Sequence, residues 1–332
     1  MEVKTVEDPK PGRNDVVAAV KVVGICGVDI HCYDWDDVAR SLNLTLPYIL
    51  GHEMSAEIIE IGKDVEGFEI GDRIAAETHI PCEKCSSCQR GNLHLCDNLR
   101  IFGLGSNGAF ADYTVVPSVV AYKIPEELSD EQGAVLEPLG VAVHTVERSG
   151  LRVGNSVAVT GCGPIGLLVI AVARAAGATQ IVATDVVDYR LDLARQMGAT
   201  TTLNPGNTDV AEQVKQITGG MGVDNVFEAS GNSQALETSL EILRKRGTLV
   251  VVGVHAKTPS LNLLENVIFK EASIVGTFGR EIWGTWHRTA ALLKSEKIDV
   301  KPILTHRFSL DEMDDAFQAA KSGESGKILL SP

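Results

Sequence analysis

Apolar and polar side chains alternate in short runs through the first part of the chain. VVAAVKVVG (16–24), SAEIIEIG (55–62) and DRIAAETHI (72–80) are separated by Gly-Asp, Pro and Gly. Short runs rich in Val, Ile and Ala, bounded by turn residues, predict strands. Residues 1 to about 140 therefore read as an irregular β domain. From about 150 the rhythm changes. SVAVT (156–160) precedes the helix-like PIGLLVIAVARAAGA (164–178), and QIVATD (180–185) precedes YRLDLARQMGA (189–199). DNVFEA (224–229), a helix near 233–245 and GTLVVVGV (247–254) continue the series. Strands alternating with helices predict a parallel sheet covered on both faces. After about 280, GTWHRTAALLKSEK (284–297) reads as helix and KILLS (327–331) as strand. The fold class is α/β, with a β-rich domain beside a doubly wound one.

Composition narrows the function classes. At 332 residues the chain is long for one core and comfortable for two. Its net charge of −14 argues against nucleic acid or an anionic membrane as partner. There is no run long and apolar enough for a transmembrane helix, and no repeat or targeting segment stands out. A cytoplasmic protein is the expectation.

Four of the seven cysteines, Cys82, Cys85, Cys88 and Cys96, fall in PCEKCSSCQRGNLHLC. An odd total and no secretory leader argue against disulfides. The last gap is too long for a bacterial ferredoxin run, and Asp97 rather than proline follows it. Four thiolates this close suit a closed tetrahedral zinc site at about 2.3 Å per bond. No position remains for a substrate, so the site reads as structural, its binding energy folding a lobe over 80–98.

Gly161-Cys162-Gly163-Pro164-Ile165-Gly166 is G-x-G-x-x-G between a strand and a helix, the context a dinucleotide site requires. Gly161 allows the tight turn, Gly163 the close approach of a pyrophosphate, and Gly166 close helix–strand packing. Pro164 suits the first helical turn, whose free N–H groups face the phosphates. Asp185 ends the next strand, nineteen residues after Gly166. An acid there bonds the ribose 2′-hydroxyl and repels a 2′-phosphate, which favours NAD; the nearby Arg190 keeps NADP as the alternative.

Cys26 in GICGVDIH and His52-Glu53 in LGHEMSAE form a second candidate metal set. Three protein ligands and an open position is the pattern of catalytic zinc. Spacing alone leaves open a buried core thiol and a satisfied core histidine.

These motifs, in this order, resemble the zinc-dependent medium-chain alcohol dehydrogenase family over essentially the whole chain. Within it the chain looks most like the L-threonine 3-dehydrogenases. HCYDWDD (31–37), ETHIPC (77–82), TDVVDYRLDLARQMG (184–198), VIFKEASIVGTFGREIWGTW (267–286), LTHRFSLDEMDDAF (304–317) and SGESGKILLS (322–331) carry that likeness. EPLGVAVHT (137–145) leans toward sorbitol-type polyol dehydrogenases.

The resemblance implies a GroES-like catalytic domain from 1–142 and 281–332, with a Rossmann NAD domain, 143–280, inserted. It implies two zinc ions per chain, the catalytic one on Cys26, His52 and Glu53. Glu137 would be a carboxylate able to reach that metal, His31 a late member of a proton relay, and His79 a group near the substrate. NAD contacts are implied at Ile165, Asp185, Arg190, the Val252–Gly253–Val254 turn and Thr277–Phe278. A small alcohol is the implied substrate, and a homotetramer or homodimer the implied assembly.

Two positions depart from the family pattern. The relay hydroxyl, Ser or Thr two residues after the zinc cysteine, is here Val28, which neither donates nor accepts. Threonine dehydrogenases usually carry Asn where this chain has Val141. Both changes make the site more apolar. They keep two alternatives in play, a polyol dehydrogenase and a catalytically silent NAD- and zinc-binding protein. Met1 also nearly abuts the segment 6–12, ahead of which relatives place a further strand.

Overall fold

The computed structural model describes residues 1–42, 44–255 and 258–332. The chain forms two compact units. One comprises Met1–Gly140, Glu281–Ser295 and Leu304–Pro332, the other Val141–Arg280 and Glu296–Ile303. The sequence reading gave all of 281–332 to the first domain; 296–303 instead groups with the second unit.

The first unit is built on a mostly antiparallel sheet. Its central strand, Asp15–Gly24, pairs with Glu53–Ile61, Tyr113–Pro117 and Lys327–Ser331. Arg73–Ala76 and Ala121–Lys123 extend one side, and Leu304–Ser309 flanks Lys327–Ser331 on the other. The central strand shifts register between Val17 and Ala18 and again between Val20 and Val22. Such bulges break simple alternation, which is why Val16, Val17 and Ala18 are all buried in succession. Val16, Val20, Met54, Ile58, Phe110 and Phe317 pack into one core.

The pairing of Val23 with Leu330 and Gly24 with Leu329 brings the end of the chain beside residues 24–26. Gly24 is needed for that approach, because a Cβ there would overlap the Glu53 carboxylate and press on the Lys327 stem. The helix Gly27–Asp34 then starts at Cys26, whose backbone N–H donates to Asp29 in a capping box.

The second unit holds a six-stranded, all-parallel sheet. Its order is Thr201–Leu203, Gln180–Thr184, Ser156–Thr160, Val223–Glu228, Leu243–Val251 and Ser273–Gly276. The order reverses direction at Ser156–Thr160, the switch point where such sheets bind ligands beyond their carboxyl ends. Helices Pro164–Ala175, Asp188–Met197, Val210–Ile217 and Ser233–Ile242 connect the strands. Asp209 and Asn232 cap the last two through their side chains.

Two strand-like runs differ from the sequence reading. DRIAAETHI (72–80) splits into Arg73–Ala76 and His79–Ile80, which belong to different sheets. The run 247–254 was expected to be strand throughout, but the strand is Leu243–Val251. It stops because the N–H groups of Val252 and Gly253 both turn to the Glu228 carbonyl, at 2.9 and 3.0 Å.

Candidate active site and metal centres

Cys82, Cys85, Cys88 and Cys96 gather their sulfurs within 4.8 Å of one another. The helix Ser86–Gln89 starts from Cys85 and carries Cys88 inward. Sulfurs at 2.3 Å around a tetrahedral ion stand about 3.8 Å apart. The Cys85–Cys96 and Cys85–Cys88 separations are 3.8 and 3.4 Å. Backbone N–H groups of Cys82, Asp97 and Asn98 donate to these sulfurs. Backbone N–H groups, first that of Lys84, draw the Cys82 thiol down to about 6. Burial, and then the neighbouring sulfurs, push Cys88 up to about 12. Four thiols this close do not all ionise without a cation among them, and the donor set fits zinc.

The Cys26 sulfur, a His52 ring nitrogen and a Glu53 oxygen form the second cluster within 4.8 Å. His52 and Glu53 are buried. Two polar atoms here, Asp29 Oδ1 and His52 Nδ1, are buried without a hydrogen-bond partner. Buried orphans of this kind call for an explanation such as an ion, and thiolate, imidazole and carboxylate suit zinc.

The electrostatics point the same way. Burial lifts the Asp29 carboxyl to about 6, against the pull of His52. Burial opposes the charge on His52, but Asp29 and Cys26 outweigh it and raise His52 to about 10. The pocket is short of positive charge.

Two residues here went unremarked in the sequence reading. Asp29 is fully buried and accepts from the Cys26 N–H at 2.9 Å, with its other oxygen 3.7 Å from His52 Nδ1. That places a carboxylate beside the imidazole, beyond hydrogen-bond distance but close enough to favour positive charge on the ring. Lys327 is equally buried. Its ammonium lies 2.7 and 2.6 Å from the two Glu53 oxygens and donates to the Ile25 carbonyl at 3.0 Å. The Cys-x-x-Asp spacing could have signalled Asp29. Nothing local signals Lys327, which arrives through strand pairing.

Each remaining candidate in this unit has a polar partner of its own. Glu137, in the helix Asp130–Arg148, is buried and accepts a very short hydrogen bond from Thr78. His79 is buried with Nδ1 2.6 Å from Glu77 Oε1. His31 is partly exposed, with Nδ1 2.6 Å from Asp36 Oδ2. That bond, before the other influences, lowers the Asp36 carboxyl. Val28 lies one turn before His31 on the same helix, with no hydroxyl to pass a proton on.

In the second unit the fingerprint glycines each answer to a contact. Gly161 has φ +93°, and a Cβ there would meet Ser230 at 2.8 Å. A Cβ on Gly166 would overlap the Gly161 carbonyl. Around Gly163, the N-cap of Pro164–Ala175, nothing comes within 4 Å of an added Cβ, which leaves the helix end clear for a phosphate. Ile165 follows, half-buried.

Asp185 accepts from the Cys162 N–H at 2.7 Å and the Val187 N–H at 2.9 Å. These bonds lock the carboxylate in place, and each oxygen keeps a lone pair for a ribose hydroxyl. Arg190 Nε is buried without a hydrogen-bond partner. The Val252–Val254 turn and Thr277–Phe278 follow adjacent strands at the same sheet edge, with Val254 and Phe278 largely exposed. The buried Glu228, also missed, accepts from Ser230 and Gly231 through one oxygen and pairs with His255 at 3.0 Å through the other. It ties together two loops at that edge.

Comparison with known proteins agrees with both units. Residues 12–126 match the alcohol dehydrogenase GroES-like domain, and residues 164–295 the zinc-binding dehydrogenase family. L-threonine 3-dehydrogenase of Pyrococcus abyssi is 40% identical over 329 residues, covering 99% of this chain and 94% of the relative. The Bacillus licheniformis enzyme of the same name is 39% identical over 324 residues, covering 98% of this chain and 93% of the relative. Among solved structures, 2R,3R-butanediol dehydrogenase of Bacillus subtilis superposes with a TM-score of 0.91 at 32% identity, covering 100% of this chain and 96% of that one. No described helix is long and apolar enough to cross a membrane. With both of its units matched and its length aligned end to end, the chain belongs to the zinc-binding alcohol dehydrogenase family and is a zinc- and NAD(P)-dependent dehydrogenase of secondary alcohols.

Proposed function

We propose that the chain oxidises L-threonine at C3, with NAD as hydride acceptor and a catalytic zinc on Cys26, His52 and Glu53. The observation that carries the reading is 40% identity over 99% of the chain to enzymes named for that reaction. The carbinol carbon gives up a hydride and the hydroxyl its proton; the products are a 2-amino-3-oxo acid, NADH and a proton. Zinc in this set supplies Lewis-acid polarisation of the alcohol oxygen, which lowers its pKa.

The chain's own groups do the rest. Glu137, anchored by Thr78, offers a carboxylate near His52 and Lys327. His79 binds on the substrate side, and His31, paired with Asp36, hands the proton to water. Asp185 holds the ribose hydroxyls and disfavours a 2′-phosphate, so NAD is preferred to NADP. Four cysteines in the lobe hold a second, structural zinc. A cytoplasmic setting suits seven unpaired cysteines.

We also propose a homo-oligomer, a tetramer or dimer. In support, Ile274 in the edge strand Ser273–Gly276 is exposed, as are Leu263, Leu264, Ile268 and Phe269 in the segment that leads to it. An apolar patch on a sheet edge is a liability unless covered.

A second reading, oxidation of a polyol, is favoured by Val28 and by the likeness to butanediol dehydrogenase. Purified protein with NAD⁺ and a panel of L-threonine, sorbitol, 2,3-butanediol and simple alcohols, followed by NADH absorbance, separates the two. Turnover of a polyol and not threonine sinks the first reading. No turnover with NADH still bound makes the protein catalytically silent. Restoring the hydroxyl by Val28→Thr should raise kcat by about 10²-fold, the low end of what a proton-transfer group contributes. An unchanged kcat means the proton leaves by another route.

A further inference from the structure

Glu77 has no part in the roles assigned so far, yet it is fully buried beside one of the candidates. One carboxylate oxygen accepts from both the backbone N–H and Nδ1 of His79, at 2.9 and 2.6 Å. The other accepts from Trp286 Nε1 at 2.6 Å. Trp286 is itself fully buried and packs against Tyr122 and Trp283, with ring centroids 5.0 and 6.0 Å away. A buried carboxylate is costly unless hydrogen-bonded, and here its bonds join two segments more than two hundred residues apart in sequence.

We propose that Glu77 is a positioning residue for alcohol recognition: it holds His79 as the Nδ1–H tautomer and ties the imidazole to the Trp283–Trp286 segment. A neutral imidazole carries one N–H, and a carboxylate at 2.6 Å from Nδ1 fixes the proton there. Nε2 is then an acceptor of fixed direction. It suits a substrate that donates, through an amino or hydroxyl group next to the carbinol. The recognition step rests on the reading of His79 as a substrate-side residue; the tautomer does not.

The test is Glu77→Gln in the zinc-loaded, full-length protein, with ¹⁵N-labelled histidine. The wild-type His79 spectrum should show a protonated Nδ1 and a bare Nε2, and the variant a shift toward Nε2–H. KM for the alcohol identified by the substrate panel should rise up to about tenfold, the usual cost of one lost hydrogen bond, while the NADH Kd changes less than about twofold. A variant that keeps the Nδ1–H tautomer, or the wild-type KM, overturns the proposal. If Glu77→Gln does not fold, Trp286→Phe releases the other end of the carboxylate. It should mix the tautomers and raise KM by a smaller factor; a wild-type spectrum and KM there overturn the tie to the aromatic segment. The spectrum needs no turnover. A shifted tautomer in a protein that ignores threonine therefore sinks the threonine reading and leaves the assignment to Glu77 standing.

Discussion

The two candidate metal clusters of the first unit are built in opposite ways. Cys82, Cys85, Cys88 and Cys96 come from one short segment, and the groups that donate to their sulfurs come from the same segment. The Cys26 cluster and its surroundings are gathered from residues 26, 29, 52, 53 and 327, and its supports are buried charges, Asp29 and Lys327. A site that only folds a loop can be local, because all its ligands saturate the ion and nothing has to enter. A site that does chemistry must leave a position open, so its charges have to be balanced from outside the ligand set. The sheet provides that balance by placing the last strand beside the first.

The strongest way to break this contrast is to remove one sulfur from each cluster. Cys26→Ala should take zinc content from two ions per chain to one. It should cut alcohol turnover by about 10³-fold or more, since Lewis-acid activation contributes several kcal/mol, and it should leave the melting temperature nearly unchanged. Elemental analysis, initial rates and a thermal scan together check it. Two zinc ions in the variant would mean that the cluster is not the second metal site.

Cys85→Ser should also lower zinc to one ion per chain, with the opposite consequence. Turnover at low temperature should survive. A loss of about 2–3 kcal/mol would lower the melting point by roughly 3–4 °C for a protein of this size. Protease should then cut within 80–98 before it cuts elsewhere. If turnover collapses while the fold holds, the lobe takes part in chemistry and the contrast fails.

The same contrast explains what could be read from the sequence. The lobe and the glycine fingerprint are short-range patterns, and each position meets a geometric need within its own segment: a positive φ at Gly161, a close helix–strand contact at Gly166, four sulfurs within reach of one ion. Cys26 and His52-Glu53 were recognisable only through a family pattern, because their proximity depends on the pairing of Gly24 with Glu53. Lys327 and Glu77 were not legible at all. Their partners lie 274 and 209 positions away, and only the strand pairing and the packing of Trp286 bring them together. The end of the strand at Val251 was missed for a related reason. VVVGV is apolar throughout, and the Glu228 carbonyl that turns the chain belongs to another strand.

The smallest of the three effects falls on Asp29, where the contrast can be sharpened most finely. Asp29 admits two descriptions. As a helix cap it accepts the Cys26 N–H, and losing such a cap costs about 0.5–2 kcal/mol of stability. As a charge partner it stands 3.7 Å from His52 Nδ1 and supports the imidazole as a ligand. Asn keeps the shape and an oxygen for the Cys26 N–H, so Asp29→Asn spares the cap and removes the charge. If the supporting charge matters, chelator competition should show the Cys26 site losing about 10- to 100-fold in zinc affinity. The lobe should hold its zinc as tightly as before, and the melting temperature of the zinc-loaded protein should barely move. Unchanged affinity would reduce Asp29 to a cap. The catalytic cluster would then be as self-contained as the four-cysteine lobe, and its distant supports would owe nothing to the metal.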